Sequence, residues 1–153
     1  MPSSPRSDIQ AFFATFAQAG DTLDTQALTA CFHDVFLNLD PASAASVSRE
    51  ALLAALPMRA KYFGSLGVDG MDLATVAETP LDAIHTLART TWSVRFSPGV
   101  TATPLTVSST FLLRHGDDGW RIVAYLNHQD VTAAIRSSTG GGGCQVPGNE
   151  DGE

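Results

Sequence analysis

The stretch HGDDGWRIVAYLNHQD, residues 115–130, decides the fold. Asp117-Asp118-Gly119 is hairpin-turn chemistry, so a strand must precede it and another must follow. Trp120, Ile122, Ala124 and Leu126 then alternate with Arg121, Val123, Tyr125 and Asn127, giving a strand with apolar residues on both faces. An antiparallel sheet with one face in water alternates more cleanly, so both faces of this strand call for cover. The strand finishes in Asn127, His128, Gln129 and Asp130, all able to hydrogen-bond. Such an ending suits the mouth of a pocket, and equally a strand end closed by bonds to neighbouring loops.

Upstream, residues 68–79, 83–96 and 105–115 are rich in β-branched and aromatic side chains and are separated by turn chemistry. With 119–130 they predict an antiparallel meander. The first half of the chain is helical in character. SDIQ, residues 7–10, fits a capping box with Ser7 as N-cap, and Ile9, Phe12, Phe13 and Phe16 recur on one helical face until Gly20 and Asp21. Burying those rings contributes roughly 1.5–3 kcal/mol each. A second helix is expected from Asp24 to about Phe32, presenting Leu28, Cys31 and Phe32. VFLNLDP, residues 35–41, reads as a short strand, and ASAAS, residues 42–46, as a loop. Ser48 is the expected N-cap of a third helix with Leu52, Leu53, Leu56, Ala60 and Phe63 as its stripe, kinked or divided at Pro57 and stopped by Gly64 and Gly67. Helices first and a meander after them predict an α+β domain.

At 153 residues the chain has room for one domain with a proper core. Its division is expected to be a flexible N-terminus (1–6), a single domain (7–136) and a glycine-rich disordered tail (137–153), which holds little apolar surface to offset ordering. The net charge of −7 and nine scattered Lys and Arg residues argue against nucleic acid or anionic lipid as partner. No apolar run reaches bilayer length and no secretory leader is visible, so a cytoplasmic location is expected, with no membrane partner. Cys31 reads as a small core hydrophobe, and with Cys144 makes no disulfide framework.

Two helices, a short strand ending in LDP, a third helix and a meander closing on DGWRIVAYLNHQD resemble the nuclear transport factor 2-like superfamily, and within it the SnoaL-like group. The resemblance spans about residues 7–135 and also uses the TTW strand at residues 90–92. It implies a strongly curved antiparallel sheet wrapped around the N-terminal helices, a cystatin-like cone or α+β barrel. The open end of that cone leads to a deep, mostly apolar pocket. Phe13, Phe16, Phe63, Trp92, Phe111, Tyr125 and Asn127 are then the expected ligand-binding residues, although Trp92 serves equally well in an ordinary core. The resemblance also implies pairing into a homodimer through the outer sheet face. Relatives include isomerases, cyclases, dehydratases, epoxide hydrolases and non-catalytic binding domains.

By the same resemblance, Asp40 before Pro41 stands where ketosteroid isomerases carry their general base. Burial at a pocket rim would raise its pKa and fit it to shuttle protons. An Asp before Pro also simply starts a turn. The matching oxyanion groups are missing: the first helix offers phenylalanines instead of tyrosine, and Val107, Ser109 and Phe111 supply no carboxylate. In the last strand, rough alignment points Val123, Tyr125, Asn127 and Gln129 inward and Ile122, Ala124, Leu126 and His128 outward. One β-bulge would exchange the sets. Arg89 could pair with a carboxylate such as Asp40 or sit at a dimer contact, and Arg95 reads as a solvated charge. His128 and Asp130, with His85 or His33, only loosely imitate a metal triad, so no metal and no cofactor is expected.

Two functions follow: a small-molecule-binding domain for an apolar or oxygenated organic ligand, extending to cofactor-independent acid–base catalysis through Asp40; or a non-catalytic binding or dimeric assembly module of the same fold.

Overall fold

The computed structural model describes residues 5–140, with the side chains of residues 5–7 left aside. Helix α1 (Pro5–Thr22) starts on a proline, whose missing N–H costs nothing in the first turn. Ser7 therefore lies inside the helix and is not its cap. The helix ends on Leu23, held in the left-handed region at φ 54°, and Asp24 caps α2 (Thr25–Cys31) by accepting the Ala27 N–H at 3.1 Å.

Strand β1 (Phe32–Asp40) turns at Pro41 into β2 (Ser43–Ser48), so the expected loop at residues 42–46 is mostly an edge strand. Small, polar side chains leave β2 exposed, and propensity alone hides it. Ser48 caps α3 (Arg49–Ser65) as expected, accepting the Ala51 N–H at 3.1 Å. The helix runs on through Pro57 without dividing.

The meander is β3 (Val68–Pro80), β4 (His85–Phe96), β5 (Thr106–Gly116) and β6 (Gly119–Asn127), all antiparallel neighbours. The hairpin between β5 and β6 closes on Asp117-Asp118, with Gly119 supplying the positive φ (96°) that the turn demands. The full sheet order is β2-β1-β6-β5-β4-β3, and β1 lies parallel to β6. The sheet is thus mixed instead of wholly antiparallel, because the chain crosses over through α3 and the meander before returning to β1. It is not closed into a barrel: β2 and β3 remain edges. Register shifts between β3 and β4, β5 and β6, and β1 and β6 curve it around the helices. A final helix, α4 (Val131–Thr139), was not anticipated. It carries helical structure past residue 136 and ends on Gly140 in the left-handed region. The remaining tail, 141–153, and residues 1–4 lie outside the described residues.

The concave face is filled. Ile9 and Phe13 of α1 meet Ala88, Trp92, Val107, Phe111, Leu113 and Ile122. Ring centroids of Phe13 and Phe16 lie 5.0 and 5.7 Å from that of Phe111, and Phe16 lies 6.1 Å from Trp92. Two polar side chains buried among them are bonded to each other: the Trp92 indole N–H donates to Thr90 Oγ1 at 2.7 Å, and that hydroxyl donates to the Ser109 carbonyl at 3.0 Å. Cys31 is a buried core residue, and burial pushes its thiol up to about 11.

Arg95 is no free solvated charge. Its guanidinium meets Asp21 at 3.1 Å, Asp69 at 3.5 Å and Asp72, joining the end of α1 to β3 and β4. It lies across Gly70, where any Cβ would collide with it and with Asp21.

Candidate functional site

The polar end of β6 explains itself through α4. Asp130 accepts the Ala133 N–H at 3.0 Å and caps that helix, so the strand must stop at Asn127. Gln129 acts as an artificial strand residue: Oε1 accepts the Ser108 N–H at 2.9 Å and Nε2 donates to the Ser108 carbonyl at 3.1 Å. His128 turns outward, its Nε2 2.6 Å from Thr110 Oγ1. Asn127 turns inward and accepts from Ser109 Oγ at 2.7 Å.

Strand parity is set by a bulge. Leu113 pairs with Ile122 and Leu112 with Ala124, leaving Val123 as the extra residue. Ile122 is therefore fully buried on the inner face, against expectation, while Tyr125 and Asn127 face inward as expected. The Tyr125 ring rests 4.7 Å from that of Phe111.

Where β6 stops, a groove of about 460 Å³ opens between the ends of β1 and β6, the β1–β2 turn, α3 and the start of α4. Asn38 and Asp40 come from β1, Arg59, Tyr62 and Phe63 from α3, and Asn127, Gln129, Asp130, Val131 and Thr132 from the β6–α4 junction. Of the residues expected to bind ligand, the structure brings Phe63, Asn127 and the candidate base Asp40 to this groove. Phe13, Phe16, Trp92, Phe111 and Tyr125 do not line it. They pack against one another, so the aromatic interior expected as a deep pocket is occupied by its own rings.

Asp40 lines the groove, but Oδ1 takes the Ala42 N–H at 2.8 Å, the Ser43 N–H at 2.8 Å and Ser43 Oγ at 3.2 Å. These bonds to the ionised form, led by that from Ala42, hold the carboxyl below its ordinary 3.8. The expected rise through burial is reversed: the side chain starts its own turn. Arg89 is exposed on β4. Among the described residues no group of three or more His, Cys, Asp or Glu stands together as a metal site; His85 pairs with Asp82 at 3.0 Å instead.

Arg59 and Tyr62 were not foreseen. Spaced three apart and flanking Phe63, they share the groove side of α3. The Arg59 guanidinium lies 5.4 Å from the Phe63 ring centroid, and Arg136 of α4 donates to the Tyr62 hydroxyl at 3.1 Å. The i, i+3, i+4 spacing of Arg59, Tyr62 and Phe63 was the available signal.

Residues 6–130 match the sequence profile of a family described as NTF2-like protein (DUF6841). No curated protein matches the chain. Similar solved structures include an NTF2-like protein of unknown function from Shewanella oneidensis, 16% identical, covering 82% of this chain and 100% of its own, with a TM-score of 0.65. An NTF2-like protein with a cystatin-like fold from Novosphingobium aromaticivorans is 20% identical, covers 86% of each chain and has a TM-score of 0.67. An NTF2-like protein from Cytophaga hutchinsonii is 14% identical, covers 84% and 100%, and has a TM-score of 0.59. At these identities the likeness is one of fold.

Proposed function

The chain belongs to the NTF2-like protein family DUF6841, and on that premise we propose that it is a small-molecule-binding domain of the SnoaL-like kind whose site is the groove at the end of β6. The observation that carries this reading is a groove of about 460 Å³ pairing apolar walls, Phe63 and Val131, with Asn127, Gln129 and Asp130, whose side chains are held in place by bonds to their own scaffold. That volume suits a small organic ligand, and polar groups already fixed lose little freedom on binding. A binding role is better supported than acid–base catalysis. A general base works best with a pKa near the operating pH, and Asp40 is moved the other way.

The test is a thermal-shift screen of apolar and oxygenated fragments. Fragments that stabilise the protein should lose that effect in Phe63→Ala and Asn127→Leu, both of which should still fold. Stabilisation that survives both substitutions would contradict the reading.

The outer sheet face supports a homodimer as part of the same proposal. Val35 and Leu37 are 52% and 49% exposed, and Leu37 and Leu39 lie beside Ala124 and Leu126 on that face. A second copy would cover them; a monomer by light scattering at high concentration would refute this. Residence in the cytoplasm belongs to the proposal too. Among the described residues no helix is long and apolar enough to cross a membrane.

A further inference from the structure

We propose that the groove selects an organic carboxylate: an apolar body resting against Phe63, with its acid group held by Arg59 and Tyr62 of α3 and the side-chain amide of Asn127. This rests on the groove being the binding site and adds the chemistry of what fills it.

Three side chains in the groove keep polar atoms open to a ligand. Asn127 Oδ1 is taken by Ser109 Oγ, which leaves its NH₂ group without an acceptor among the described residues. The Tyr62 oxygen accepts from Arg136, so its own hydroxyl proton is left to donate. Among the described residues Arg59 pairs with no carboxylate. Arg49 and Arg121 each have one and Arg95 has three, while Arg59 rests on the Phe63 ring. The open groups on these three residues are all donors.

The acceptors with bonds of their own stand on the far side of the groove from α3. Asp40 Oδ1 takes three bonds from its own turn, Asp130 Oδ1 caps α4, and both ends of the Gln129 amide are spent on Ser108. These two carboxylates belong to the β1–β2 turn and the α4 cap, whereas the guanidinium and the phenol stand on α3. An incoming acid group is therefore drawn to the α3 side. Arginine presents a planar fork that matches a carboxylate with two parallel bonds. In a chain of net charge −7, an unpaired guanidinium beside an aromatic wall also supplies local selectivity against the general repulsion of anions.

The test uses the full chain, uniformly labelled with nitrogen-15, and two probes of matched shape: 4-phenylbutyrate and 4-phenylbutan-1-ol. Heteronuclear NMR titrations should show both moving the Asn127 side-chain amide, with the acid binding about tenfold or more tightly. Arg59→Gln should remove that preference, Tyr62→Phe should reduce it, and Arg59→Lys should restore it in part. Added salt should weaken the acid and spare the alcohol. All three residues are solvent-facing or half-buried, so folding is not at stake. Equal affinities for acid and alcohol, with groove resonances shifting, would overturn the carboxylate inference and leave the binding site standing. Shifts confined to other surfaces for both probes would overturn the site and the inference together.

Discussion

Gln129→Ala tests the idea that a side chain substitutes for strand backbone where β6 ends. In the native protein its amide makes two bonds to Ser108, at 2.9 and 3.1 Å. The two losses are unequal. The Ser108 carbonyl keeps a second donor, the His128 N–H at 3.1 Å, whereas the Ser108 N–H loses its partner in a half-buried position. A net hydrogen bond contributes about 0.5–1.5 kcal/mol, and an orphaned donor costs about 1–3 kcal/mol when fully buried. Partial solvent access brings the expected loss to about 1–2 kcal/mol. That is about 2–4 °C per kcal/mol in a chain of this size. Urea unfolding followed by tryptophan fluorescence reads it as a lower midpoint at unchanged slope. Gln129→Glu sharpens the test. The carboxylate still accepts from the Ser108 N–H but opposes the Ser108 carbonyl with a second acceptor. Its ionised form is disfavoured in the fold, so its folded pKa is raised above the unfolded value. The variant should then be destabilised at neutral pH and recover toward wild type as pH falls below that raised pKa. A Gln129→Ala variant within about 0.3 kcal/mol of wild type would refute the reasoning, as would a loss in Gln129→Glu that is flat with pH.

Phe111→Ala removes a fully buried ring that touches Phe13, Phe16 and Tyr125, and should cost about 3–5 kcal/mol in urea unfolding. A loss under about 1 kcal/mol would mean that the concave face is not filled as described. Leu23 holds a left-handed conformation at φ 54° between α1 and α2, which costs a branched side chain about 1–2 kcal/mol. Leu23→Gly should therefore raise Tm by a few degrees, less the entropy that glycine adds to the unfolded chain; a lower Tm would contradict it. The Asp40 carboxyl, followed by carbon-13 NMR, should titrate below 3.8. Its depressed folded pKa gives stability present above the unfolded value and lost as pH falls through the folded one. A midpoint above 4.5 or so would restore the acid–base candidate.

Much of the architecture was legible because period and turn chemistry agree. The DDG hairpin, the β-branched and aromatic runs at residues 83–96 and 105–115, and the Ser48 cap each point to one local structure, which the chain adopts. Three features escaped for physical reasons. Strand β2 is built of Ser and Ala, whose propensity says loop, and only pairing with β1 makes it a strand. The parallel contact of β1 with β6 joins segments about ninety residues apart, and no local pattern encodes it. Helix α4 follows a strand whose polar end looks like a pocket rim, yet Asp130 followed three residues later by Ala133 is a plain cap.

The site was legible in the same uneven way. Inward Asn127 and Tyr125 were foreseen, but the Val123 bulge reversed Ile122, because one extra residue exchanges faces without leaving a trace in composition. Phenylalanine at positions 13, 16 and 111 is equally consistent with lining a cavity and filling it, and only packing decides. Asp40-Pro41 carried two meanings from the start. The bonds from Ala42 and Ser43 favour the turn.

The most direct measurement is a crystal structure of the full chain soaked with the fragments that stabilise it. Electron density for a fragment between Phe63 and Asn127, with the rings of Phe13, Phe111 and Trp92 still in mutual contact, is the predicted result. Density lodged among those three rings, with the groove filled only by water, would contradict the account.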